Sequence, residues 1–346
     1  MTNYEREISE QPEALENLLR IYSAKETPLA RLDAVKNARA FKRIVFLGMG
    51  SSLFAAHPAV CRLARYGIPA QAVDASEYIY YLGEPVQSAE TLHVLVSQSG
   101  ESPEVKILAD KLAGRPFIAL ANNEGSYMAG KAAAVLPMAA GEEKSTTGKT
   151  YTNTIAAGLL FAEWAARRDA AETIEKIAPI PSRMAAFLKD WRRVMEPAAD
   201  FIGDPLHHLD ILGRGPLMAS VWQGGLIMRE LAWVKCNAMN SGLFRHGLVP
   251  GMKDGGAVIV LAPSGPTKPI NLRLADDVEK AGGRCLIVTD GETNPKPGRL
   301  AIRFPALDEV LAPLLYILPF ETLGILKAER RGIEPGEGIL KITPVE

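Results

Sequence analysis

Two short segments gather glycines and hydroxyls where apolar runs end. Ile44-Val45-Phe46-Leu47 enters Gly48-Met49-Gly50-Ser51-Ser52, and Val94-Leu95-Val96 enters Ser97-Gln98-Ser99-Gly100-Glu101-Ser102. Glycine lets the backbone approach a ligand closely. A helix N-terminus offers unpaired N–H groups and partial positive charge, and serine hydroxyls add neutral donors. Together these are the chemistry for holding an oxyanion such as a phosphate ester. Neither segment carries a lysine, which separates them from the P-loop of nucleotide hydrolases. Gly48-x-Gly50 also opens like a dinucleotide fingerprint, but Leu53 takes the third glycine position. The acidic candidate, Asp74, lies past the usual spacing of about 20 residues. Either segment alone is equally what a turn with a capping serine looks like. Two of them in one half favour an anion site. A third segment, Glu142 to Tyr151, holds Ser145, Thr146, Thr147 and Thr150 and has the hydroxyls to complete a pocket, although such clusters also cap helices.

The elements that would position these loops come twice. Leu209-Asp210-Ile211-Leu212 enters Gly213-Arg214-Gly215-Pro216, and Val258-Ile259-Val260-Leu261 enters Ala262-Pro263-Ser264-Gly265. Gly48 to Gly100 is 52 positions, as is Gly213 to Gly265. Further strand-like runs follow in each half, at 117–120 and 286–289, then at 134–137 and 301–304. Short β-rich runs alternating with helical patterns predict parallel sheets covered on both faces. The second copy lacks the serine-rich loops, which predicts one anion site per chain. The expected organisation is a helical arm over 1–34, an α/β domain over 35–168, a helical connector over 169–204, a second α/β domain over 205–332 and a tail over 333–346.

Composition narrows the function classes. The chain has 346 residues, with 39 basic against 40 acidic side chains, and no basic stripe or tail, so the footprint of a nucleic-acid partner is missing. Cys61, Cys236 and Cys285 fit no metal-ligand spacing and read as small hydrophobes in a reduced protein. The first twenty residues lack the apolar core of a signal peptide. The longest apolar stretch, 310–320, holds two prolines and is about half the length needed to span a bilayer. A cytoplasmic protein with no membrane partner is expected.

The motifs resemble the sugar isomerase (SIS) family, in the form that makes up the isomerase half of glucosamine-6-phosphate synthase. The likeness runs nearly end to end. It includes Glu7-Ile8-Ser9-Glu10-Gln11-Pro12, Gly50-Ser51-Ser52, Ala75-Ser76-Glu77-Tyr78, the Ser97–Ser102 loop and Ser145-Thr146-Thr147-Gly148-Lys149. In the second half it includes Leu212-Gly213-Arg214-Gly215, Arg229-Glu230, Arg245-His246-Gly247 and Leu311-Ala312-Pro313. The resemblance implies two tandem three-layer α/β/α SIS domains with flavodoxin-like parallel sheets, acting without metal or nucleotide cofactor. It implies sugar-phosphate binding by Ser51, Ser52, Ser97, Gln98, Ser99, Ser102 and Thr147. It places the enolising carboxylate on Glu230, the ring-opening histidine on His246 and the C-terminal lysine at the sugar carbonyl on Lys341. It also implies a homodimer in which the histidine completes the partner's site.

The residue chemistry is compatible with those roles. An enediol route needs a carboxylate near C1 and C2, a proton shuttle for the ring oxygen and electrostatic help for the oxyanion. The largely apolar helix around Glu230 would raise its pKa by desolvation. His57, His93, His207 and His208 read as structural. Several positions depart from the synthase pattern. The chain starts at the isomerase, with no glutaminase segment expected ahead of it. Ile227 replaces a lysine linked to amine handling, Leu243 a glutamate and Leu248 a proline. The expected function is ketose–aldose isomerisation of a phosphorylated or otherwise anionic sugar. The alternatives are an amino-sugar-phosphate deaminase or fructosamine-phosphate deglycase, and a non-catalytic sugar-phosphate sensor.

Overall fold

The computed structural model describes residues 1–35, 40–83, 90–204, 208–293 and 296–336; His207 and Lys341 lie outside them. Ten strands form two five-stranded sheets. The first contains β1 (Arg43–Gly48), β2 (Ala70–Asp74), β3 (Thr91–Ser97), β4 (Phe117–Ala121) and β5 (Ala134–Pro137). The second contains β6 (Leu209–Gly213), β7 (Cys236–Asn240), β8 (Ala257–Ala262), β9 (Arg284–Thr289) and β10 (Arg299–Arg303). Every pairing is parallel. The spatial orders are β2-β1-β3-β4-β5 and β7-β6-β8-β9-β10, which are the same order used twice.

Eight of these strands fall on the strand-like runs of the sequence, seven of them because a largely buried strand reads as a continuous hydrophobic segment, while β10 is half-buried with an arginine at each end. The exceptions are β2 and β7, whose sequences Ala-Gln-Ala-Val-Asp and Cys-Asn-Ala-Met-Asn are mostly half-buried. Both are edge strands, with only one neighbour each.

Alternation within β1 shows how both faces are covered. Val45 and Leu47 pack with Val105, Leu108 and Leu112 around the helix Pro103–Lys111. Phe46 points the other way, its ring edge-on to Phe161 with centroids 5.7 Å apart. Phe161 belongs to Lys149–Ala165, a helix buried from Lys149 to Trp164. In the second sheet Val258, Val260 and Ile287 pack with Leu274, Ala275 and Val278 of the helix Lys268–Lys280. The helices Met218–Ala232 and Leu318–Arg330 pack tightly: a Cβ on Gly224 would stand 2.6 Å from Phe320 Cγ, so only glycine fits there.

The described residues divide into two compact units, one of Met1–Ser9 with residues 182–336, the other of Glu10–Pro181. One division falls within the segment read as the arm and the other within the segment read as the connector. The arm helix Asn3–Ser9 thus belongs with the second sheet, and Gln11–Tyr22 with the first.

Candidate active site

In an open sheet of this order, ligands bind at the carboxyl ends of the strands where the order reverses, here between β1 and β3. Those strands pair directly, Leu47 opposite Leu95, so their C-terminal loops are neighbours. β1 ends on Gly48. A Cβ there would meet Val96 O at 3.0 Å and Leu53 N at 3.1 Å, so the absent side chain is what lets the next helix begin against β3. Gly50 has φ +49°, and the helix Ser51–Arg65 follows at once. Ser51 and Ser52 occupy its first turn, half-buried.

The second loop is held by its own hydroxyls. Ser97 is 7 % exposed, and its Oγ accepts from Gly100 N at 3.0 Å. Ser99 Oγ accepts from Glu101 N at 3.2 Å. Gly100 has φ +65°, and a Cβ on it would lie 2.1 Å from Ser126 Oγ. The loop's one carboxylate is drawn outward: Glu101 accepts from Tyr127 N at 2.7 Å and pairs with Lys106 at 2.8 Å. The Lys106 ammonium and the Tyr127 N–H hold the Glu101 carboxyl below its ordinary range. The rest of the loop is uncharged.

Simple capping does not use these serines. Gly50 stands at the N-cap of Ser51–Arg65, and Ser102, at the N-cap of Pro103–Lys111, makes no side-chain cap bond. Ser126, by contrast, caps its helix by accepting from Ala129 N. Asp74 does stand beside Gly48 at the end of β2, the place where a dinucleotide site would need an acid. However, its Oδ1 accepts from Ser76 N at 2.8 Å, Ser76 Oγ at 2.5 Å and Glu77 N at 3.2 Å.

The third loop is tied to the second through Asn122, whose backbone N donates to Gln98 O and whose Nδ2 donates to Gly141 O. Glu143 shapes it by accepting from Gly148 N and Thr150 N at 3.0 and 3.1 Å, and from the Thr150 hydroxyl. Lys149 is buried and reaches Glu10 at 2.5 Å, while Thr152 Oγ1 donates to Gln11 Oε1 at 2.7 Å. Thr147 is half-buried. Its neighbour Thr146 is 3 % exposed, and its Oγ1 has no hydrogen-bond partner among the described residues. Glu143 and Thr146 both lay inside a segment already singled out, but nothing in its residue type separated Thr146 from the hydroxyls around it, and the acceptor role of Glu143 is set by the fold of the loop.

Glu230 and His246 belong to the other unit. Glu230 is half-buried in the last turn of Met218–Ala232. The preceding Arg229 donates to Cys236 O at 2.6 Å, and Trp233 ends the helix in the left-handed region at φ +50°. His246 is exposed, immediately after the short helix Ser241–Arg245. Lys341 lies outside the described residues. The structure therefore gathers the serine loops in one unit and the two acid–base candidates in the other. Of the remaining candidates, Cys236 and Cys285 are buried, whereas Cys61 is half-buried with its Sγ 3.5 Å from His57 Nε2. Among the described residues no group of His, Cys, Asp or Glu is clustered to hold a metal ion, and no helix is long and apolar enough to cross a membrane.

Residues 39–164 match the model of the SIS domain. The serine loops after β1 and β3 and the third loop to Thr150 all fall inside that SIS segment. Among curated relatives, a glutamine–fructose-6-phosphate aminotransferase [isomerizing] from Pyrococcus horikoshii is 28 % identical over 339 residues, covering 95 % of this chain and 55 % of its own length. The chain spans about half the length of the curated relatives it matches. Among solved structures, the C-terminal domain of a glucosamine-fructose-6-phosphate aminotransferase from Francisella tularensis superposes with a TM-score of 0.88 at 21 % identity, over 98 % of both chains. A tagatose-6-phosphate ketose/aldose isomerase from Escherichia coli superposes at 0.82 and 20 % identity, over 100 % of this chain and 98 % of that one. These superpositions show a shared fold across both sheets, beyond the segment that the domain model matches.

Proposed function

We propose that the protein interconverts the ketose and aldose forms of a phosphorylated or otherwise anionic sugar through an enediol. The observation that carries this reading is the pair of serine loops at the β1–β3 switch point, with Ser51, Ser52, Ser97, Gln98, Ser99 and Ser102 around it and Glu101 turned away. Thr147 joins them from the third loop. Uncharged donors at such a place bind an oxyanion without a cation that would have to be desolvated with it. Glu230 then moves the proton between C1 and C2, His246 serves ring opening, and Lys341 meets the carbonyl end. The same reading makes the protein a cytoplasmic homodimer whose two sites are shared. Its support is the SIS domain, together with relatives whose names couple isomerisation to fructose 6-phosphate.

Those names also include amino transfer, which favours amine chemistry as a second reading. Against it stands Ile227 in place of the lysine, a side chain that can neither donate to nor accept from an amine.

Incubation with fructose 6-phosphate in deuterated water, followed by NMR, tests the proposal. Aldose should accumulate with deuterium at C2. Binding without turnover or exchange would leave a sensor instead, and ammonia from glucosamine 6-phosphate would promote the second reading.

A further inference from the structure

The two sheets end alike in geometry and differently in charge. β3 and β4 pair Ser97 with Ala121, so Asn122 is the first residue beyond the strand. β8 and β9 pair Ala262 with Thr289, and Asp290 takes that place. In the same register Ser264-Gly265 stands where the first sheet has Ser99-Gly100. Asn122 turns away from its serine loop, accepting from Ala140 N at 2.9 Å and donating to Gly141 O at 2.7 Å. Asp290 turns onto its loop. Its Oδ2 accepts from Ser264 N at 2.8 Å, and its Oδ1 accepts from Ser264 Oγ at 3.0 Å and Lys268 Nζ at 2.6 Å.

We propose that the second repeat contains an oxyanion cradle, made of Ser264 N, Ser264 Oγ and Lys268 Nζ, and that the Asp290 carboxylate is its resident ligand. A carboxylate presents two oxygens to donors placed as those around a phosphate would be. The Asp290 side chain is 1 % exposed and Lys268 20 %, so the pair is screened little. Burial pushes the Asp290 carboxyl up, but Lys268 and the Ser264 donors outweigh it and hold it below the carboxylate range. A second carboxylate guards the loop: a Cβ on Gly265 would lie 2.8–3.1 Å from the Glu309 carboxyl atoms. The intact chain therefore binds no external anion there. With Asp290 truncated, the cradle would take a small tetrahedral oxyanion. The likeness to the first repeat rests on the anion site proposed above, but the donors of the second are already holding an anion and stand without it.

Titration calorimetry with inorganic phosphate decides the matter, using the full chain. A Ser52→Ala/Ser97→Ala background silences the first site and keeps the two readings apart. On that background Asp290→Ala should gain one phosphate site per chain. Adding Lys268→Ala should weaken the new site about ten- to hundredfold, as loss of a charge-assisted bond does. A folded Asp290→Ala chain that gains no site, or one indifferent to Lys268→Ala, overturns the proposal. Should Asp290→Ala fail to fold, Asp290→Asn, which copies Asn122, replaces it. Phosphate should then raise its melting temperature above the shift seen with Asp290 in place, and an equal shift would refute the cradle. Failure of the first-repeat reading shows separately, as unchanged phosphate binding in the Ser52→Ala/Ser97→Ala chain that keeps Asp290.

Discussion

Ile227 and Gly324 are in direct packing contact: a Cβ on Gly324 would stand 3.0 Å from Ile227 Cγ2. Ile227 is fully buried, so its side chain belongs to the seam between Met218–Ala232 and Leu318–Arg330. An amine-handling group at this position would have to leave that seam. The chain should therefore release no ammonia from glucosamine 6-phosphate, while interconverting a neutral ketose–aldose pair with a terminal anion. Ile227→Lys should not confer ammonia release, and should cost on the order of 3 kcal/mol by burying a charge in an apolar seam. Ammonia production followed by NMR, with urea unfolding of both chains, checks both halves.

Binding at the serine loops is measured directly. Ser52→Ala and Ser97→Ala together should weaken sugar-phosphate affinity by a few kcal/mol, since a hydrogen bond to a charged group contributes about 1.5–3 kcal/mol. Calorimetry with fructose 6-phosphate gives the number. Unchanged affinity would move the anion elsewhere.

Glu230→Gln should lower turnover by about 10²–10⁴-fold with binding largely kept, the range for a positioned acid–base group. Deuterium exchange at C2 should vanish with it. Exchange that persists would give the proton transfer to another residue.

The shared-site reading predicts complementation. An inactive His246→Ala chain mixed with an inactive Glu230→Gln chain should regain partial activity once subunits exchange, because a closed dimer assembles one intact site from the two. No recovery after verified exchange would mean that each chain builds its own site.

Acid sensitivity should centre on His93. The imidazole is buried on β3, with the Tyr78 hydroxyl 2.7 Å from its Nε2. Burial, with Arg115 adding to it, lowers its pKa from 6.5 to about 4, and burial raises Tyr78 to about 12. The imidazole stays neutral and the phenol protonated, so the bond joins two uncharged groups, its direction set by the imidazole tautomer. The unfolded chain takes up a proton that the folded site refuses. Stability is therefore full above about pH 6.5 and declines as the pH falls towards 4, by roughly 3 kcal/mol. Urea unfolding across that interval should show the decline, and His93→Gln should flatten it.

Much of this architecture could be read from residues. Val94-Leu95-Val96 and Val258-Ile259-Val260 announced β3 and β8 because central parallel strands are apolar on both faces, and the glycines marked where helices begin against them. β2 and β7 were illegible because they interleave polar residues with small or apolar ones, and Gln71 or Asn237 is as natural in a loop. The serines were visible as residue types. That Ser102 is not spent on capping, and that Glu101 is pulled outward by Tyr127 N and Lys106, are facts of geometry. So is the difference between Asn122 and Asp290: the two side chains have nearly the same shape, and only their partners reveal that one turns away and the other turns in.

The helix Gln11–Tyr22 sets a timetable for synthesis. Its partners are Lys149, Thr152 and Asn153, reached by Glu10, Gln11 and Ala14 across sequence separations of 139 to 141 residues. It leaves the ribosome well before those partners, with Ala14, Leu15, Leu18, Leu19 and Tyr22 forming an apolar stripe that they do not yet cover. The first sheet is in the same position, because Phe46 waits for Phe161. Contacts this distant in sequence form slowly. A nascent chain stalled anywhere before Lys149–Ala165 emerges therefore exposes both surfaces at once, and that interval is where trigger-type chaperones would have most to bind.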